Sequence, residues 1–137
     1  MATALYGLGR EAFLGGLIDW TNDAIKVALI DSADYVVSID VDQFLSDVTA
    51  AGIVATSSNF TTKTVTLGVA DADNVTFSAV SGDVCEALVI YQDTGTLTTS
   101  RLIAYLDVAN VTGFPVTPNG GDITVTWDSG ANKIFKL

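Results

Sequence analysis

Residues 87–107 read ALVIYQDTGTLTTSRLIAYLD. Two apolar runs flank Asp93-Thr94-Gly95-Thr96. Asp-Thr-Gly-Thr after an apolar run is also how aspartic proteases present a catalytic carboxylate, so this stretch is either an active site or a turn between two strands. An aspartic protease needs two carboxylates sharing a proton, supplied by a second lobe or a second subunit. The chain has one such motif. It has no later glycine-rich apolar segment to pack beneath the loop, and Gln92 stands where that motif wants a hydrophobe. The turn needs no such additions. Asp, Thr and Gly supply side-chain capping and tolerance of positive φ. The stretch therefore predicts a β-hairpin with residues 96–100 at its tip.

The two strands of this hairpin are apolar on both faces. In residues 84–91, Val84, Leu88 and Ile90 alternate with Cys85, Ala87, Val89 and Tyr91, and only Glu86 interrupts. Antiparallel sheets usually wet one face. Burial of both implies a sandwich centre covered by an N-terminal helix, or a subunit interface.

Working outward, residues 24–31 (AIKVALID) read as another buried strand, and 9–16 as a short amphipathic helix that ends at Gly15-Gly16. Apolar residues Ala12, Phe13, Leu14, Leu17 and Ile18 form its expected buried set. Residues 41–47 predict a second short helix, with Asp40 or Asp42 as N-cap and Phe44, Leu45 and Val48 on one face. From residue 52 onward the pattern is β. GIVATS, KTVTLGV and NVTFSAV are short β-branched runs punctuated by Gly, Asp and Asn. Strands are expected near 61–67, 84–91, 101–108, 122–128 and 132–136. Pro118-Asn119-Gly120-Gly121 requires positive φ before the strand at 122–128. The expectation is one domain over 1–137, mainly β, an antiparallel β-sandwich or barrel with one or two short helices near the N-terminus.

Composition removes much chemistry. In 137 residues there is no His and a single Cys, Cys85. No Ser-His or Cys-His nucleophile pair can form, and no His/Cys zinc cluster. Cys85 reads as a buried small hydrophobe. Six Lys+Arg against 16 Asp+Glu give a net charge of −10. Such a chain repels phosphate backbones and anionic membrane surfaces. Charged residues are 16% of the chain, below the roughly 25% of ordinary domains. Mean hydropathy is +0.44. Apolar area is therefore expected to remain for partners, including copies of the chain itself. No apolar run reaches the ~18 residues of a membrane helix, and the first residues do not read as a signal peptide.

The other candidate sites are weaker. Asp71, Asp73 and Asn74 alternate oxygens that suit a hard cation, but the glycine and glutamate of an EF-hand are missing, so they read as an acidic turn. Gly7-Leu8-Gly9 lacks the rest of a nucleotide loop. Acidic pairs of the glycosidase type are not singled out, because the acids fall mostly in turns. Trp20 and Trp127 suit a sugar platform if exposed, but sit in core-like patterns. Sequons at Asn59, Asn74 and Asn110 carry no weight without a sign of secretion. The residues thus point to no catalytic, cofactor-binding or metal site, and to a protein that is not an enzyme.

Four segments carry a resemblance. They are EAFLGGLIDWTNDAIKVALIDSADY, FLSDV, the hairpin EALVIYQDTGT…SRLIAYLD and the ending FPVTPNGGDITVTWDSGANKIFKL. Together they resemble small virion proteins of tailed bacteriophages over nearly the whole chain. The resemblance implies a capsid decoration or cement subunit that binds the major capsid protein on the capsid exterior after synthesis in the bacterial cytoplasm. A tail or neck component is its runner-up. It also implies a homo-oligomer, by analogy a trimer, and carries over no catalytic residue. From another class, a small carbohydrate-binding module is the rival, and an exposed Trp20 or Trp127 would mark it.

Overall fold

The computed structural model describes residues 4–107 and 113–137. The hairpin is present: β7 (Ala87–Gln92) pairs antiparallel with β8 (Leu102–Asp107). Around it lies a five-stranded antiparallel sheet in the order β1-β8-β7-β2-β3, with β1 at Ala4–Leu5, β2 at Ile25–Ile30 and β3 at Ile53–Thr56. Two smaller antiparallel sheets complete the fold. One is β10-β5-β4, with β4 at Thr64–Thr66, β5 at Val69–Asp71 and β10 at Phe135–Lys136. The other pairs β6 (Val75–Phe77) with β9 (Ile123–Val125).

Both faces of the central sheet are buried within this one chain. On one face Val27, Leu29, Leu88 and Ile90 pack with Ala70, Phe77, Val125 and Phe135 from the smaller sheets, closing a sandwich. Aromatic edges fill the gap: Trp20 meets Phe60 and Phe135 near perpendicular, with ring centroids 5.8 and 5.2 Å apart. On the other face Ala28, Ile30, Ala87, Val89 and Tyr91 pack against Tyr6, Tyr35, Leu45 and Val48. The cover here is the irregular segment 31–52 rather than the N-terminal helix. That helix, α1 (Gly7–Leu14), lies against β8 and lends Ala12 to the sandwich core.

Several expectations are corrected. The first helix occupies 7–14 rather than 9–16. Ala12 and Ile18 are buried, but Leu14 and Leu17 are exposed. No α-helix forms at 41–47; a single 3-10 turn spans Leu45–Asp47. Tertiary pairing overrides the helical pattern there. Phe44 is extended and bridged to Arg101, Leu45 N–H donates to the Ser100 carbonyl, and Leu102 N–H donates to the Gln43 carbonyl. The cap is Asp47, whose carboxylate accepts from the Gln43 and Phe44 amides, rather than Asp40 or Asp42. The strand expected at 61–67 is a hairpin instead. Leu67 and Gly68, at φ 52° and 80°, turn the chain between β4 and β5, the two-residue pattern of a type I′ turn. The strand expected at 101–108 is seen over 102–107, and residue 108 lies outside the described residues.

Strict alternation also fails before β7. Cys85 shares the core of Leu88 and Ile90, while Val84 is exposed. The chain changes partners here: Cys85 exchanges backbone hydrogen bonds with Val116, and Glu86 N–H donates to the Ile30 carbonyl. A register shift does the same in β8, where the ladder jumps from Ile90↔Ala104 to Tyr91↔Leu102. The extra residue, Ile103, faces the sandwich core with Ala104, while Leu102 joins the opposite face. The turn at Gly120 does have positive φ, 87°.

If both faces are packed cores, Ile90→Ala and Ile30→Ala, on opposite faces and both fully buried, should each cost about 2–5 kcal/mol in urea denaturation. A cost for Ile30→Ala under about 1 kcal/mol, the range of a surface change, would mean the segment 31–52 is not a packed layer.

Candidate functional site

The Asp-Thr-Gly stretch lies in the β7–β8 connection and is built as a turn. Asp93 Oδ1 accepts from the Gly95 amide at 3.0 Å, and Gly95 has φ 83°. The Thr96 carbonyl accepts from the Thr99 and Ser100 amides, which closes the tip at 96–100. Asp93 Oδ2 is 2.9 Å from Lys26 Nζ, on the neighbouring strand β2. The hydrogen bond from Lys26 holds the Asp93 carboxyl below the usual carboxylate range, with the Gly95 amide helping.

Among the described residues, the carboxylates of Asp71 and Asp73 do not belong to a cluster of three ligating groups. The Asp73 carboxylate accepts from the Thr61 and Thr62 hydroxyls. The Asp71 and Asp73 carbonyls accept the indole N–H groups of Trp20 and Trp127. Both tryptophans are buried, 4% and 8% exposed, so neither ring is open to stack on a sugar. Sequence reasoning missed a different acidic group. Asp31, Asp34 and Asp83 place carboxylate oxygens within 4.8 Å of one another. Asp31 is buried and accepts from the Ala33 amide. No spacing motif announces this trio, because Asp83 arrives from a distant loop.

Gly7 and Gly9 serve packing. A Cβ on Gly9 would lie 2.5 Å from the Leu102 carbonyl, and one on Gly7 would lie 2.5 Å from Asp40 Oδ1. Cys85 is fully buried. Burial, then the nearby carboxylates of Glu86, Asp31 and Asp83, push its thiol up to about 11, away from the thiolate that makes cysteine reactive. Of the sequons, Asn74 Oδ1 accepts from the Trp127 amide, and Asn110 lies outside the described residues.

Among the described residues, the surface carries exposed apolar side chains, and two places stand out. The first is the loop 35–42, where Val36 is 84% and Val41 74% exposed. This loop is pinned from below. Tyr6 Oη and Tyr35 Oη are 2.9 Å apart, Tyr35 Oη donates to Asp42 Oδ2 at 2.7 Å, and the Ser38 amide donates to the same oxygen. Burial raises both tyrosine pKa values, and with the bond to Asp42 keeps the Tyr35 phenol protonated. The second is a groove of about 330 Å³ beside α1 and the β10-β5-β4 sheet, lined by Phe13, Ile18, Trp20, Val65, Phe135 and Leu137 among others. Leu67, 91% exposed, stands at the neighbouring hairpin turn. No protein-family model matches the chain, and no curated protein matches it.

Asp93 stabilises the fold in its ionised form, because its folded pKa is depressed. Its contribution is present above the unfolded value of about 3.9 and is lost as pH falls through the folded pKa. Asp93→Asn keeps the Gly95 acceptor and removes the ion pair. The expected loss at pH 7 is about 0.5–1 kcal/mol, for a partly exposed pair. The gap between wild type and variant should close as denaturation is repeated below about pH 4. A gap that stays constant down to pH 2 would refute the ion-pair account.

Proposed function

We propose that this chain is a structural virion protein of a tailed bacteriophage, a decoration or cement subunit on the outside of the head shell. The carrying observation is a contrast: the core is closed within one chain, yet Leu14, Val36, Val41 and Leu67 stand largely in solvent. Apolar area left outside a closed β scaffold suits a protein whose work is docking. The virion assignment rests on the sequence resemblance of the N-terminal segment, the hairpin and the C-terminal segment.

In this reading the partners are the major capsid protein and further copies of the chain, with a trimer favoured by analogy alone. It assigns no catalytic residue, cofactor, nucleic acid or membrane. A cement subunit meets a lattice at many equivalent sites, so modest single contacts suffice through multivalency. The net charge of −10 keeps such a subunit from being captured by packaged DNA. Burial of Trp20 and Trp127 favours this reading over a sugar-binding module. A tail or neck position is the alternative within the same class.

A single-particle reconstruction of virions that carry this chain separates these positions. The expected result is density for the fold repeated over the head at equivalent lattice sites. Density confined to the tail or neck would replace the cement role by the alternative, and absence of the chain from the particle would end the virion reading.

A further inference from the structure

We infer that the cleft between β3 and residues 76–81 receives an extended peptide strand that carries a lysine or arginine. The strand pairs antiparallel along β3 and sets its cation on Asp31, Asp34 and Asp83. This surface is separate from the exposed apolar residues that carry the virion reading, and the isolated chain holds all of it.

β3 ends the five-stranded sheet, with β2 on one side of it. The Ser57 amide donates to the Val27 carbonyl. Backbone groups alternate in direction along an antiparallel strand, so the Thr56 amide and carbonyl point away from β2. Among the described residues no strand pairs with that edge. The opposite wall of the cleft makes its bonds elsewhere. β6 pairs with β9, the Val80 amide donates to the Gly121 carbonyl, and the Val80 carbonyl accepts from the Gly120 amide. Between the two walls lies a space of about 390 Å³. Its lining is rich in hydroxyls, from Thr56, Ser57, Ser58, Thr76, Ser78 and Ser81.

Free amides and carbonyls on a strand edge are matched by another extended backbone, which offers the same groups in the same alternation. Exposed edges are commonly guarded by Lys or Pro. Residues 53–60, Ile-Val-Ala-Thr-Ser-Ser-Asn-Phe, hold no charge and no Pro. The guard that β3 does carry is a register shift at its start, between Ile53 and Ala55, so pairing falls on the stretch from Thr56 onward. Charge sets the rest of the partner's chemistry. At the start of β3 the Asp31 amide donates to the Gly52 carbonyl. Asp83 follows Gly82, where an added Cβ would lie 3.4 Å from a Val54 methyl. The three carboxylates that lie within 4.8 Å of one another therefore stand at this end of the cleft. Asp34 and Asp83 are exposed. Lys26, which precedes Val27 and lies toward the other end, is already paired with Asp93. A strand antiparallel to β3 brings its C-terminal end to the acidic trio, so its cation belongs near that end.

Amide chemical shifts of the full isotope-labelled chain, titrated with the peptide acetyl-Thr-Val-Thr-Val-Thr-Lys-amide, test this. Saturable shifts are expected at residues 54–58, 76–81, 31–34 and 83, with a dissociation constant below about 5 mM. The same peptide with Glu in place of Lys should bind at least about fivefold more weakly at low ionic strength, where exposed charges are least screened. Of the two forms N-methylated on alternate residues, at least one should fail to bind, because it lacks the amides that face β3. Asp34→Asn with Asp83→Asn, both exposed, should bring the Lys and Glu peptides within about twofold of each other. Circular dichroism checks that this variant folds. If it does not, Asp83→Asn alone replaces it and should narrow the difference. Absence of saturable shifts, shifts centred elsewhere, equal binding of the Lys and Glu peptides, binding of both N-methylated forms, or a folded variant that keeps the full preference for Lys would each overturn the inference.

Discussion

 The structure depends on one constraint, a strand pair that water cannot touch on either side. β2 and β7 pair over six residues, and all nine residues from Val27 to Ile30 and from Ala87 to Tyr91 are buried. Side chains alternate across a strand, so a pair like this must be covered twice. The smaller sheets and α1 supply one cover, and the irregular segment 31–52 supplies the other. Among the described residues, both covers come from this one chain.

The second cover explains the polar groups near the core. A segment without regular structure has backbone groups and side chains that need hydrogen bonds when buried. Tyr6, Tyr35 and Asp42 form a chain of such bonds, and Asp47 accepts two amides at the 3-10 turn. Among the described residues, no buried side-chain N or O atom lacks a hydrogen-bond partner. The same aspartates make this side of the molecule acidic. Folding and surface charge are thus linked, because the residues that fix the cover also carry the negative charge on that side.

Much of this was legible in the sequence. The hairpin at 87–107 showed itself by two apolar runs around an Asp-Thr-Gly turn, and the buried tryptophans by their apolar-alternating neighbours. What covers the sheet was not legible, because segment 31–52 packs through scattered residues, Tyr35, Leu45 and Val48, with no period. The helix expected at 41–47 had the right spacing, yet pairing of Gln43 and Phe44 with residues 101 and 102 won over local propensity. The inverted facing of Cys85 came from a change of strand partner, which alternation cannot foresee. Of the apolar surface, the exposure of Val36 and Val41 was not legible, because Val36 sits in an apolar run that reads as buried and Val41 falls within the helix expected at 41–47. Nor was the groove, since it joins residues 13–20, 65–70 and 135–137, which only the fold brings together.

The central claim is that one chain closes both faces of its own sheet. Native-state hydrogen exchange, at a concentration where sedimentation gives a monomer, tests it most directly. The account predicts that amides of β2 and β7 exchange only through global unfolding, with protection that does not change with protein concentration. Fast exchange of these amides in the monomer, with protection that appears only as concentration rises, would contradict it. The cover over β2 and β7 would then have to come from another copy.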